Sequence, residues 1–253
     1  MSNGTMNPTP THSQPARTAL VIFAKAPVPG QVKTRLCPPL TADEAATIHG
    51  TFVLDTLERT KAAVMKLKLQ VDRYLACAPS SALAFFRIME ERQAVCLLEQ
   101  EGEDLGARMN RASETLFQRG HQQVLIVGTD VPSLPLDYYR QALNQLESHD
   151  VVVGPALDGG YYMIGLTQIA PALFTGIPWS TDRVLAMTRE KAMNMGLRVA
   201  LLPEWRDVDT IEDLRLLIEA SILDAGKPKQ EQSFSNRTAG ALQLIAKRLK
   251  SRT

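Results

Sequence analysis

The feature that most constrains this chain is a repeating alternation of short apolar runs with longer amphipathic segments. Ala19–Ala24 (ALVIFA) is apolar at every position, the pattern of a strand covered on both faces. Further strands are predicted at Val71–Cys77, Ala94–Glu99, Val124–Gly128, Val151–Gly154, Tyr161–Leu166 and Leu197–Leu202. Helical spacing falls between them. Thr41 and Glu44 have the separation of a capping box, and Ala45, Ile48, Phe52 and Leu57 follow as an apolar stripe. Other helices are predicted at Ser81–Arg92, Leu105–Arg119, Leu136–Glu147, Thr181–Met195 and Thr210–Leu223. Such alternation selects an α/β fold with helices on both faces of a mostly parallel sheet. One interval departs from it. Only a short loop with Gly159 and Gly160 separates Val151–Gly154 from Tyr161–Leu166, too little chain for a parallel crossover. One strand is therefore expected to run backwards.

The ends differ from the middle. Residues 1–17 are rich in Thr, Pro, Asn and Ser and are expected to be a disordered tail, with no apolar stretch of a signal peptide. Residues 18–224 are expected to form one domain. Residues 225–253 are expected to be a linker and a basic helix or tail, either docked on the domain or binding another surface. A net charge of +1 provides no field to recruit nucleic acid, and no apolar run is long enough to span a membrane. Cys37, Cys77 and Cys96 lack the spacing of a zinc site or a disulfide framework, which fits a cytoplasmic protein. His12, His49, His121 and His149 have no spacing that suggests a metal site or a catalytic dyad, and no covalent-nucleophile motif occurs.

Ligands of open α/β sheets bind beyond the carboxyl ends of the strands, and the suspicious segments all follow predicted strands. Phe23–Leu36 combines stiffening Pro27 and Pro29, a flexible Gly30, and the cations Lys25, Lys33 and Arg35, a composition suited to phosphates although it is not a Walker A loop. Val124–Pro135 ends its strand with Asp130 on a proline-fixed loop, well placed for Mg²⁺ or Mn²⁺. Arg206–Leu214 carries Asp207 and Asp209, of which only one is expected to face a metal; Asp209, or Thr210 with Asp213, also reads as a helix cap. Asp158, Gly159, Gly160 and Tyr161 read either as ordinary hairpin chemistry or as room for a sugar or acceptor beside a carboxylate. Gln100, Gly106 and Arg108 follow another strand and are candidates to meet a nucleotide, while Trp179, Ser180 and Thr181 are candidates for a stacked ring and a capped helix start.

Taken in order, KAPVPGQVKTRL, EDLGARM, GTDVPSLP, GPALDGGYYMIGL, IPWSTDRVL and DVDTIEDL resemble the bacterial selenodomain-associated transferases. These belong to the glycosyltransferase-A-like, nucleotide-diphospho-sugar transferase superfamily. The resemblance runs from about Leu20 to Leu223 and implies a single Rossmann-like three-layer domain. It also implies that Asp130 binds metal, and that the pattern Val208, Asp209, Thr210, Glu212, Asp213, Leu214 supplies the second ligand through Asp209. The phosphate loop of such enzymes is richer in glycine than this one. The leading expectation is metal-dependent nucleotidyl transfer to a small phosphorylated acceptor, releasing pyrophosphate. Glycosyl transfer from a nucleotide-diphospho-sugar, with Asp158 as the acceptor-side carboxylate, is the second. A non-catalytic nucleotide-sugar binder is the third.

Overall fold

In a computed structural model, residues 17–228 and 232–250 are described; the expected tail at 1–16 lies outside them. The strands are β1 (Thr18–Lys25), β2 (Val71–Ala78), β3 (Cys96–Glu99), β4 (Gln123–Val127), β5 (Val151–Pro155), β6 (Tyr161–Leu166) and β7 (Val199–Leu201). The helices are α1 (Ala42–Leu67), α2 (Ala84–Gln93), α3 (Leu105–Gln118), α4 (Leu136–Gln145), α5 (Val184–Asn194), α6 (Ile211–Ala225) and α7 (Asn236–Lys250). The strands form one sheet in the order β3-β2-β1-β4-β6-β5-β7. β1 runs parallel to β2 and β4, whereas β6 is antiparallel to both β4 and β5. The reversed strand is therefore the one read from the short hairpin. No described helix is long and apolar enough to cross a membrane.

Period-two alternation divides the core. Leu20, Ile22 and Ala24 join Leu75, Leu125 and Val127 in a cluster with Val53 and Leu57 of α1, Phe86 of α2 and Tyr139 of α4. Ala19 and Val21 face the other way, into a cluster with Met109, Ala112 and Leu116 of α3 and Ala192 of α5. Three layers result.

Two predicted helix starts move. α2 begins at Ala84 rather than Ser81, because the Ser81 backbone N–H and hydroxyl both donate to the Glu99 carboxylate and hold that residue outside the helix. α5 begins at Val184 rather than Thr181, since Ser180 is left-handed (φ 64°) and the Thr181 hydroxyl turns back onto the Pro178 carbonyl. The capping boxes at Thr41–Glu44 and Thr210–Asp213 both form.

A third cluster lies outside the sheet. Leu242 and Ile245 of α7 pack with Ile48 and Phe52 of α1, Leu214, Leu217 and Ile218 of α6, and Leu36, Leu40 and Val208. The buried Asp55 carboxylate fastens α7 to α1 by accepting from Ser235 (2.8 Å), Arg237 (3.1 Å) and Thr238. The basic C-terminal helix is thus docked, and its apolar stripe faces inward.

Candidate functional site

Strand order changes direction at β1: its crossover leads to β2 on one side, while β4 lies on the other. Loops beyond the carboxyl ends of β1 and β4 therefore diverge and leave a crevice between them. Because β6 runs backwards, the hairpin entering it opens at the same edge. A cavity of about 640 Å³ occupies this edge. It is lined by Lys25, Lys33 and Arg35 from the loop after β1, by Gln100 and Arg108, by Asp130, by Asp158 and Tyr161, by Trp179 and Ser180, and by Asp209. Segments more than a hundred residues apart in the chain meet there.

Lys33 makes the central contacts. Its backbone is left-handed (φ 48°), an uncommon state for a residue with a β-carbon, just before a short 3-10 turn at Thr34–Leu36. From there the ammonium reaches the Val208 carbonyl at 2.7 Å, Asp209 Oδ1 at 2.8 Å and Asp130 Oδ1 at 2.7 Å. Its side chain is 5% exposed. The contact with Asp130 is an ion pair made at a buried oxygen, Asp130 Oδ1. Burial draws the lysine's pKa down, but Asp130 and Asp209 outweigh it and hold the amine charged. Reciprocally, burial would raise Asp130, yet the Lys33 ammonium outweighs it and holds its carboxyl below the usual range. Arg35 is different, with a side chain 61% exposed and 4.0 Å from Asp209.

Of Asp207 and Asp209 only Asp209 lines the cavity, but the two carboxylates do not point to opposite sides. Carboxylate oxygens of Asp158, Asp207 and Asp209 all lie within 4.8 Å of one another. Residues two apart in extended chain share a side, and the intervening Val208 turns inward, 1% exposed, with its N–H on the Asp130 carbonyl at 3.0 Å. Burial first, then the charges of Asp158 and Asp209, push Asp207 up to about 7. Asp209 belongs to both groups, joined to Asp130 through Lys33 and to Asp158 and Asp207 directly. The donors are all oxygen, a set suited to a hard divalent cation such as Mg²⁺ or Mn²⁺. The gathering of the Asp158, Asp207 and Asp209 carboxylate oxygens, with Asp207 raised by its neighbours, fits such an ion.

Several expected ligand contacts have another reason. Asp158 is tied down by a bond from the Gly160 N–H (2.8 Å), leaving its second oxygen toward the other acids. Gly159 (φ 87°) does not make room for a ligand: a β-carbon there would meet the Asp182 carbonyl at 2.2 Å, so the glycine admits neighbouring backbone. A β-carbon on Gly106 would lie 2.4 Å from the Trp179 ring, so this glycine seats the indole rather than a nucleotide. Trp179 packs edge-on against Tyr161, with centroids 6.3 Å apart. Pro29, Gly30 and Thr181 shape their loops without lining the cavity. Gln100 donates its amide N–H groups to the carbonyls of Ala24 (3.1 Å) and Ala76 (2.8 Å), which directs Oε1 away from them.

Sequence reasoning missed His49. It sits on α1, lines the cavity, and bonds the Lys25 carbonyl through Nε2 at 3.0 Å, leaving Nδ1 buried without a partner. As a carbonyl only accepts, Nε2 carries the proton and the neutral ring presents a lone pair at Nδ1. Burial lowers its pKa, against the pull of Asp130. No local motif signals it, because only folding brings α1 across the end of β1.

Residues 61–181 match a family profile described as "Uncharacterized protein conserved in bacteria (DUF2064)". Among curated proteins no match is found. A crystal structure of a candidate nucleotide-diphospho-sugar transferase from Desulfovibrio desulfuricans G20 is 32% identical, covering 93% of this chain and 98% of that one, with a TM-score of 0.79. More distant matches share the fold alone. A cytidylyltransferase from Leptospira borgpetersenii serovar Hardjo-bovis (strain JB197) is 15% identical, covering 93% of this chain and 96% of that one, with a TM-score of 0.50. The 4-diphosphocytidyl-2C-methyl-D-erythritol synthase of Anaerococcus prevotii DSM 20548 is 10% identical, covering 79% and 96%, with a TM-score of 0.51. With its reversed strand, its crevice at the sheet edge and a relative at 32% identity over nearly the full length of both chains, this protein belongs to the nucleotide-diphospho-sugar transferase family.

Proposed function

We propose that this transferase carries out metal-dependent nucleotidyl transfer to a small phosphorylated acceptor. The observation that carries the reading is the cavity itself: Asp130, Asp158 and Asp209, with Asp207 close behind the last two, meet the cations of the loop after β1 at one strand edge. An oxygen of the acceptor's phosphate attacks the α-phosphorus of a nucleoside triphosphate. The new P–O bond forms as the bond to the β-phosphate oxygen breaks, and pyrophosphate leaves with that electron pair. Asp130 and Asp209 would hold a Mg²⁺ or Mn²⁺ ion, with Asp207 and Asp158 beside Asp209. When bound, that ion neutralises charge on the phosphates and orients them.

Lys25, Arg35 and Arg108 line the same cavity and bind the phosphates, and Lys33 joins them in neutralising charge. Gln100 presents Oε1 to the base. Asp158, Tyr161, Trp179 and Ser180 bound the acceptor side. Positioning and electrostatics supply most of the acceleration in this chemistry, so no covalent nucleophile is required.

The experiment is pyrophosphate release, measured across the four nucleoside triphosphates with sugar phosphates and other small phosphorylated acceptors, with and without Mg²⁺. Release that depends on both metal and acceptor supports the reading. Absence of release from every combination overturns it. The description of the Desulfovibrio relative favours a second reading, glycosyl transfer from a nucleotide-diphospho-sugar with Asp158 toward the acceptor. Tighter binding of UDP- or GDP-sugars than of any triphosphate is the result expected from that alternative. The proposed setting is the cytoplasm.

A further inference from the structure

The Lys33 ammonium is held as a small cation would be. It sits among two carboxylate oxygens and one backbone carbonyl, at 2.7 to 2.8 Å from each, and it is shielded from solvent. A lysine whose task is to grip phosphate would be expected to reach into the cavity with donors to spare, as the exposed Arg35 does. Lys33 directs its charge the other way, into the wall. Without it, Asp130 and Asp209 would face each other uncompensated, with Asp130 Oδ1 buried. The backbone at Lys33 adds a second, independent observation. Its left-handed conformation (φ 48°, ψ 37°) is unfavourable for a lysine and persists only while the surroundings hold it. The polar contacts of the side chain are all made at its far end, and no side-chain bond caps the 3-10 turn that follows.

We propose that Lys33 is a resident stand-in for the divalent cation: in the ligand-free chain its ammonium fills the seat made by Asp130, Asp209 and the Val208 carbonyl, and it swings toward the nucleotide's phosphates when the metal takes that seat. This rests on the metal assignment given under the proposed function. The device has two consequences. Metal binds weakly until phosphates are present to receive the displaced lysine, because the free-chain affinity is reduced by the fraction of molecules whose seat is open. Ion and nucleotide therefore bind cooperatively, and the lysine changes partner from carboxylate to phosphate without leaving a charge unpaired.

The test uses Mn²⁺ alone, followed by electron paramagnetic resonance, on the full chain and on Lys33→Met and Lys33→Arg. Lys33→Met is expected to bind Mn²⁺ about tenfold or more tightly than the parent, whereas Lys33→Arg, which keeps a cation in place, stays weak. A wild-type measurement stands beside it, in case the methionine variant folds poorly. Acylation of lysines, read by mass spectrometry, is expected to spare Lys33 in the free chain and to label it once Mn²⁺ has been added. Mn²⁺ binding that is equal in Lys33→Met and the parent, or a lysine that stays protected while the ion is bound, overturns the inference and leaves the metal assignment standing. If no protein binds Mn²⁺, even with nucleoside triphosphate present, the inference falls together with that assignment.

Discussion

Asp209 is the residue on which the site turns, because it alone touches both the lysine bridge and the cluster of acids. Asp209→Asn keeps the shape and the hydrogen-bonding size but halves the capacity to hold a cation. Its expected effect is to weaken Mn²⁺ binding by more than the roughly 10- to 100-fold typical of losing a ligand's supporting partner, read by titration with nucleotide present. Gly106 acts through volume. A β-carbon 2.4 Å from the Trp179 ring must push the indole or the start of α3, so Gly106→Ala is expected to cost about 1–3 kcal/mol in urea unfolding and to weaken ligand binding on the Trp179 side. Residue types alone singled out the loops that line the cavity: Lys33, Arg35, Asp130 and Asp209 were all legible. What each side chain faces was not. Lys33 reads as a phosphate contact by composition, yet carboxylates on loops about a hundred or more residues away draw it into the wall. Gly159 and Gly106 read as space for a ligand and turned out to accommodate Asp182 and Trp179.

At the scale of elements, strands and helices were the most readable part, because wholly apolar runs and capped amphipathic stripes carry their periods locally. The backward direction of β6 followed from loop length. Helix starts slipped where side chains outside the pattern intervened, as Glu99 does for Ser81. The docking of α7 was one of two readings that the sequence left open, since its apolar stripe finds partners on α1 and α6 only in three dimensions. Asp55 is the fastening point. Asp55→Ala removes the acceptor shared by Ser235, Arg237 and Thr238 and is expected to cost about 2–3 kcal/mol, less than a fully buried ion pair because Arg237 remains partly solvated. Urea unfolding measures the loss. Because α7 packs in one cluster with Leu36 and Val208, which flank the Lys33 contacts, nucleotide binding is expected to weaken in the same variant.

For the whole molecule, acid sensitivity follows from carboxylates held ionised by the fold. Burial alone would raise Asp224, but the backbone N–H groups of Phe234 (3.0 Å) and Ser233 (2.8 Å) and the Lys227 ammonium outweigh it and keep its pKa below the ordinary value. A carboxyl with a depressed folded-state pKa contributes stability that is fully present above its unfolded value. That contribution is lost as pH falls through the folded pKa. Asp224→Asn is therefore expected to lower stability near neutrality and to flatten the decline below about pH 4, as followed by thermal melts across pH. The reversed strand has a consequence for how such a molecule diversifies. The connections from β1 to β2, β2 to β3, β3 to β4 and β4 to β5 each pass through a helix that must also pack on the sheet. The tip between β5 and β6 is a hairpin with no helix of its own, held at Gly159 by the Asp182 and Leu185 backbone. On the proposed reading, the recipient of the transferred group can be exchanged there while the donor half stays intact.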